Sequence, residues 1–157
     1  MGTIMNRQSQ YFVETKTFTQ KVCIYLGVFL IIAGLGGVVV PGFLGMHLSL
    51  AHNIIHLASG ALGIWSGYAE DAKKSYVYCF SFGVLFGVLG LVGFVFGTPG
   101  FPSVGNLESE DYLLRIIPNV LEVGAVDHFF HLSLGAILLV SSFVGHRIDQ
   151  KGQPRIP

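Results

Sequence analysis

Apolar residues gather in four stretches of the chain, and polar ones fall into the gaps between them. Residues 22–40, "VCIYLGVFLIIAGLGGVVV", carry no charge, and neither do residues 75–97. Residues 48–68 are broken by His52, Asn53 and His56 as strongly polar groups, and residues 123–144 by Asp127, His128 and His131. About 20 mostly apolar residues make a helix that spans a bilayer. In hydrocarbon the backbone must bond to itself, so these runs are expected to be helices. A soluble four-helix bundle would need charged outer faces, which these runs lack. The pattern predicts an all-α integral membrane fold with four transmembrane helices, one membrane domain over residues 1–157.

The gap at residues 98–122 opens with "TPGFPS", a turn-rich stretch. The following "ESEDYLLRIIP" reads as a short interfacial helix. Ser109 would cap it, Glu110 and Asp111 suit its first turn, and Pro118 would end it. Leu113, Leu114, Ile116 and Ile117 would then rest on the bilayer surface or cover the bundle mouth.

Composition agrees with the membrane reading. Mean hydropathy is +0.64 and only 11% of residues are charged, against about 25% in soluble domains. Formal net charge is zero, so nucleic acid is not an expected partner. The lipid bilayer is. The first twenty residues are polar, and the apolar run from Val22 is too long for a signal-peptide core.

The placement of charge says more than its sum. Arg7, Lys16 and Lys21 precede the first span, Lys73 and Lys74 join the second and third, and Arg147, Lys151 and Arg155 follow the fourth. Arg115 alone lies in the opposite loops. Basic residues stay on the cytoplasmic side, so both termini are expected there. Glu108, Glu110, Asp111 and Glu122 would face outward, with Glu122 hydrated near the interface. Trp65, Tyr68, Tyr76 and Tyr78 suit an aromatic belt at the cytoplasmic boundary.

The spans also repeat. Moving the first by 56 positions onto the third aligns Cys23 with Cys79, Gly27 with Gly83, Gly34 with Gly90 and Gly37 with Gly93. Moving the second by 75 positions onto the fourth aligns His56 with His131, Leu57 with Leu132, Gly60 with Gly135 and Ser66 with Ser141. Two tandem hairpins, residues 22–68 and 75–144, are expected in one orientation, related by a pseudo-twofold along the membrane normal. The glycines let helices approach closely. Cys23 and Cys79 are expected to be reduced, buried packing residues.

Within this repeat His52 aligns with Asp127, Asn53 with His128, and His56 with His131. All six lie in the first two turns of their helices, on the outer side. Residues three and four apart share a helix face, so the pseudo-twofold can bring these faces together. Ionisable groups inside a span turn inward or pair. Four readings remain open. The cluster is a hydrogen-bonded clasp; or it holds zinc, iron or copper on His52, His56, Asp127 and His131, with His128 or Asn53 in reserve. It binds haem through His56 and His131; or it carries protons. His47 is expected in a wet loop, and His146 at a helix C-terminus, where a cation suits the dipole.

With "HNIIHLASG", the two glycine-rich spans, and Asn119, Asp127, His131, Leu132 and Gly135, the chain resembles a family. This is the bacterial four-span membrane protein family catalogued as domain of unknown function 4383. The resemblance covers residues 22–145 and implies a four-helix protein of the bacterial plasma (inner) membrane. It implies no activity, substrate or cofactor. His128 beside Asp127 and the longer acidic outer loop depart from the family pattern.

The sequence thus predicts a small structural or accessory membrane protein, a subunit of a larger complex or a homo-oligomer. The alternative is a metal- or haem-binding protein, redox or hydrolytic, built on the outer polar cluster. No nucleotide loop, Ser-His-Asp order or zincin motif occurs.

Overall fold

Polar side chains mark where each helix begins. Thr17 accepts from the Gln20 amide while the Gln20 side chain accepts from the Thr17 amide, a capping box that opens α1 (Phe18–Val39). Ser49 accepts from the His52 amide at the start of α2 (Leu50–Tyr68). Asp71 accepts from the Lys73 amide at the start of α3 (Lys73–Phe96). Asp127 reaches back to the Gly124 amide, 2.7 Å away, in the first turn of α4 (Ala125–Gly152). A single 3-10 turn, Phe43–Gly45, joins α1 to α2.

This computed structural model describes residues 16–152, the side chains of residues 146 and 148–152 excepted. Arg7 and Arg155, and the side chains of His146 and Lys151, lie outside the described residues.

The chain is mostly helical, and three segments are long and apolar enough to cross a membrane: Phe18–Val39, Lys73–Phe96 and Ala125–Gly145. At about 1.5 Å per residue, the 22 residues of α1 reach about 33 Å, a match to a bilayer core. Polarity is turned inward. In α2, His52, Asn53, His56, Ser59 and Ser66 are buried, while Leu50, Ile54, Leu62 and Trp65 face out. That polar inner face is why α2 is not among those three segments.

α1 packs chiefly along α2, and α3 along α4; contacts of α1 with α4 and of α2 with α3 are sparser. Both close pairs use the same device. A β-carbon at Gly34 would stand 3.0 Å from the Asn53 carbonyl and 2.9 Å from Leu57. One at Gly90 would stand 2.7 Å from the His128 carbonyl and 2.7 Å from Leu132. One turn nearer the sheet, Gly37 makes room for the Asn53 side chain and Gly93 for the His128 ring.

The two pairs are joined by reciprocal contacts. The Thr19 hydroxyl of α1 donates to the Ser141 carbonyl of α4, and the Ser75 hydroxyl of α3 donates to the Ser66 carbonyl of α2. Cys23 and Cys79, both free and buried, meet on the line between them. Leu30, Tyr78, Phe86, Leu134 and Leu138 complete that core.

The outer segment corrects two expectations: the interfacial helix is absent and the chain is not all-α. Thr98–Gly100, Glu110–Ile117 and Leu121–Val123 form β1, β2 and β3, an antiparallel sheet in that order. Pro118 is a turn residue, not a helix stop. Asn119 follows it at φ 63°, and the Val120 amide donates to the Ile117 carbonyl, the sequence and dihedral pattern of a type II turn. Tyr112, Ile116 and Ile117 favour strand. Leu113, Leu121 and Val123 are buried beneath the sheet.

Glu122, expected to be hydrated, is buried. It lies opposite Arg115 in the β2–β3 ladder, and its carboxylate accepts from the Ser103 and Asn119 amides. Burial pushes the Glu122 carboxyl up, but those two amides and the Arg115 guanidinium, 3.6 Å away, outweigh it and hold it below its ordinary value.

Candidate metal centre

Three imidazoles meet at the outer end of the helices. His52 and His56 share a face of α2 because they are four residues apart; their ring centroids lie 4.4 Å from each other. His131 of α4 approaches from across the bundle, at 5.7 Å from His52 and 6.4 Å from His56. One ring nitrogen from each falls within 4.8 Å of the others. All three rings are buried.

Their nitrogens are short of partners. His52 Nδ1 lies 2.9 Å from the His47 carbonyl. A carbonyl only accepts, so Nδ1 carries the hydrogen and the neutral ring presents a lone pair at Nε2. Among the described residues that Nε2 has no partner, nor do His56 Nδ1, His56 Nε2 and His131 Nδ1. Leaving a buried polar atom unsatisfied costs about 1–3 kcal/mol. Packing fixes the rings all the same: Phe86 stacks on His131 with centroids 5.5 Å apart and planes 10° from parallel.

Neutral imidazoles whose ring nitrogens gather as these do can hold a transition metal ion. Nitrogens around a tetrahedral zinc stand about 3.3 Å apart, from Zn–N of about 2.0–2.1 Å. The nitrogens here lie within 4.8 Å of one another, a wider spacing that a bound ion would have to draw in. Three protein ligands leave a fourth position open, as catalytic sites do.

Asp127, expected as a fourth ligand, stands behind His52 instead. Its carboxylate accepts from the Gly124 and His47 amides, and Oδ1 lies 4.0 Å from His52 Nδ1. At that distance it makes no hydrogen bond to the ring; the His47 carbonyl orients His52, and Asp127 fixes the His47 backbone that carries it. The two reserve residues are elsewhere. His128 Nε2 donates to the Tyr112 carbonyl at 2.8 Å and ties α4 to β2. Asn53 donates to the Leu48 carbonyl.

His47 was expected to be wet, yet it is buried. Its Nε2 lies 2.7 Å from Glu110 Oε1, and Glu110 Oε2 accepts from the Ala125 amide. His47 is thus the hub of the outer network: ring to Glu110, amide to Asp127, carbonyl to His52. No local signal announced it, because Glu110 is 63 residues away.

A crevice of about 50 Å³ adjoins the three histidines. It has room for a few water-sized groups and none for a porphyrin between His56 and His131 with the helices packed as they are.

No family model matches this chain, and no curated protein or solved structure matches it either. The reading of the site therefore rests on its geometry and chemistry.

Proposed function

We propose that the protein is a four-span membrane protein that holds one transition metal ion, zinc, copper or iron, on His52, His56 and His131. The observation that carries this is the set of partnerless nitrogens on three buried rings converging within 4.8 Å. A metal ion that takes one lone pair from each ring turns three of those four nitrogens into ligands and lifts that part of the desolvation penalty.

The spanning reading extends from the three apolar helices to α2, which lies along α1 with its polar face inward and apolar residues outward. Duplication is supported contact by contact. The positions aligned by offsets of 56 and 75 recur as Gly34 with Asn53 and Leu57 against Gly90 with His128 and Leu132. The exchanged hydrogen bonds, Thr19 to Ser141 and Ser75 to Ser66, are what a twofold requires. Lys16 over Tyr68 and Lys74 over Trp65 sit at the end away from the sheet, which favours both termini in the cytoplasm. A bacterial inner membrane and kinship with the family of unknown function 4383 belong to the same reading.

Native mass spectrometry of the protein in detergent tests it. One metal ion per chain is expected, lost in His56→Ala and in His131→Ala and kept in His128→Ala. A protein that takes up no zinc, copper or iron would leave the cluster as a polar clasp. The accessory role, in a larger complex or homo-oligomer, would then be the better account. The ties from Glu110 through His47 to Asp127 favour that second reading, since they bind sheet, loop and helix without needing a metal.

A further inference from the structure

We infer that the open position of this centre is reached sideways from the bilayer, through the seam between α2 and α3, by a small uncharged lipid-soluble molecule. The inference rests on the metal reading above and names the class of ligand that the site admits.

The crevice beside the histidines sets its chemistry. Besides His52, His56 and His131 it is lined by Ile55 of α2, by Leu85 and Leu89 of α3, and by Leu121 and Val123 of β3. Ser59 is the one polar side chain on its wall apart from the rings. Its hydroxyl is already turned to the Ile55 and His56 carbonyls. The wall therefore offers a charged ligand nothing to replace its hydration on the way in, before it could pair with the ion, so passage along it is heavily penalised for a charge.

The route follows from the packing. α2 and α3 make few contacts with each other, whereas each is tightly packed on its hairpin partner. The lip of the crevice lies on that seam: Ile55 is 44% exposed and Leu85 48% exposed, on the apolar outer surface of the bundle. On the sheet side Leu121 and Val123 of β3 lie buried over the space, with Ile116 of β2 at its margin, 41% exposed. On the inner side Phe86 lies flat against His131. The open edge is the one that faces hydrocarbon.

The test uses the full chain, loaded with cobalt(II) and held in phospholipid nanodiscs. Visible d–d bands report whether the three histidines hold the ion. Nitric oxide, small and neutral, is the lipid-soluble probe, read by loss of the high-spin cobalt resonance; azide is the charged, water-borne probe. Nitric oxide is expected to bind, and azide to leave the bands unshifted. Leu85→Trp, which fills the lip, should slow nitric oxide binding about tenfold, and Leu85→Ala should speed it, both with unchanged bands. Azide binding as readily as nitric oxide, or a nitric oxide rate indifferent to residue 85, would overturn the lateral route while the cobalt bands keep the metal reading. Absence of the bands from the unaltered protein would overturn both.

Discussion

Cys23 and Cys79 touch sulfur to sulfur, 3.2 Å apart, between α1 and α3. The 56-position alignment pairs them, and the proposed twofold between the hairpins would pass through this contact. His56 and His131, paired by the 75-position alignment, converge at the sheet end of the same bundle. Such an axis would double whatever chemistry each residue carries. Two thiols meet near one end and imidazoles gather near the other.

This juxtaposition is open to chemical test. A membrane-permeant diazene oxidant should take one hydrogen from each thiol, leave as the hydrazine, and join Cys23 to Cys79 within the chain. Intact mass should fall by about two hydrogens, and neither cysteine should alkylate after denaturation until a reductant is added. Two thiols that still alkylate after oxidation would place α1 and α3 apart.

His128 provides the control for the metal reading. Its ring bonds to the Tyr112 carbonyl and stays outside the three-histidine cluster. His128→Ala should bind metal as before and lose about 1–3 kcal/mol of stability, from the carbonyl left unpaired. Reduced metal stoichiometry in His128→Ala would mean that the ligand set is drawn wrongly.

Glu122 gives the outer sheet a pH dependence of known sign. Its carboxyl is held below its ordinary value of 4.5 when folded. A depressed carboxyl stabilises the fold fully above the unfolded value, and that contribution fades as pH falls through the folded one. Thermal unfolding in detergent should therefore be flat in this contribution near neutrality and weaken below about pH 4.5. Glu122→Gln should be less stable at pH 7 by about 1–3 kcal/mol, with a shallower acid limb. An acid limb as steep as in the unaltered protein would assign the effect to another group.

The glycines divide by what faces them. A β-carbon at Gly90 would meet the His128 carbonyl at 2.7 Å, while one at Gly87 would meet nothing within 4 Å. Gly90→Ala should separate α3 from α4 and destabilise by about 1–3 kcal/mol. Gly87→Ala should melt at the same temperature or slightly higher. Equal effects at the two positions would contradict the close approach.

Asn119 tests the hairpin that replaced the expected helix. Its φ of 63° suits asparagine or glycine and strains a β-branched residue. Asn119→Gly should be tolerated, and Asn119→Val should destabilise the outer sheet by about 1–3 kcal/mol, read as faster amide exchange in β2 and β3. Unchanged exchange in Asn119→Val would argue against the turn.

How far the sequence could be read depended on how far apart the deciding residues lie. His52 and His56 declare a shared face by their four-residue spacing. That His131 joins them was legible through the repeat. Asp127 was legible as a partner of His52 but not as one standing behind it, because its carboxylate is claimed by the Gly124 and His47 amides. "YLLRII" carried both helix and strand preferences. Pairing with β1 and β3 decided for strand, and it is non-local.

The sequence by itself determined the apolar helices and the matching glycine and histidine positions, because these rest on periodicity and on spacing within a turn or two. Only the tertiary structure decided the outer sheet, the burial of His47 and Glu122, and the place of Asp127 behind His52 rather than among the three rings. Each of those depends on hydrogen bonds between groups distant along the chain, such as His47 with Glu110, and local pattern carries no record of who meets whom across a fold.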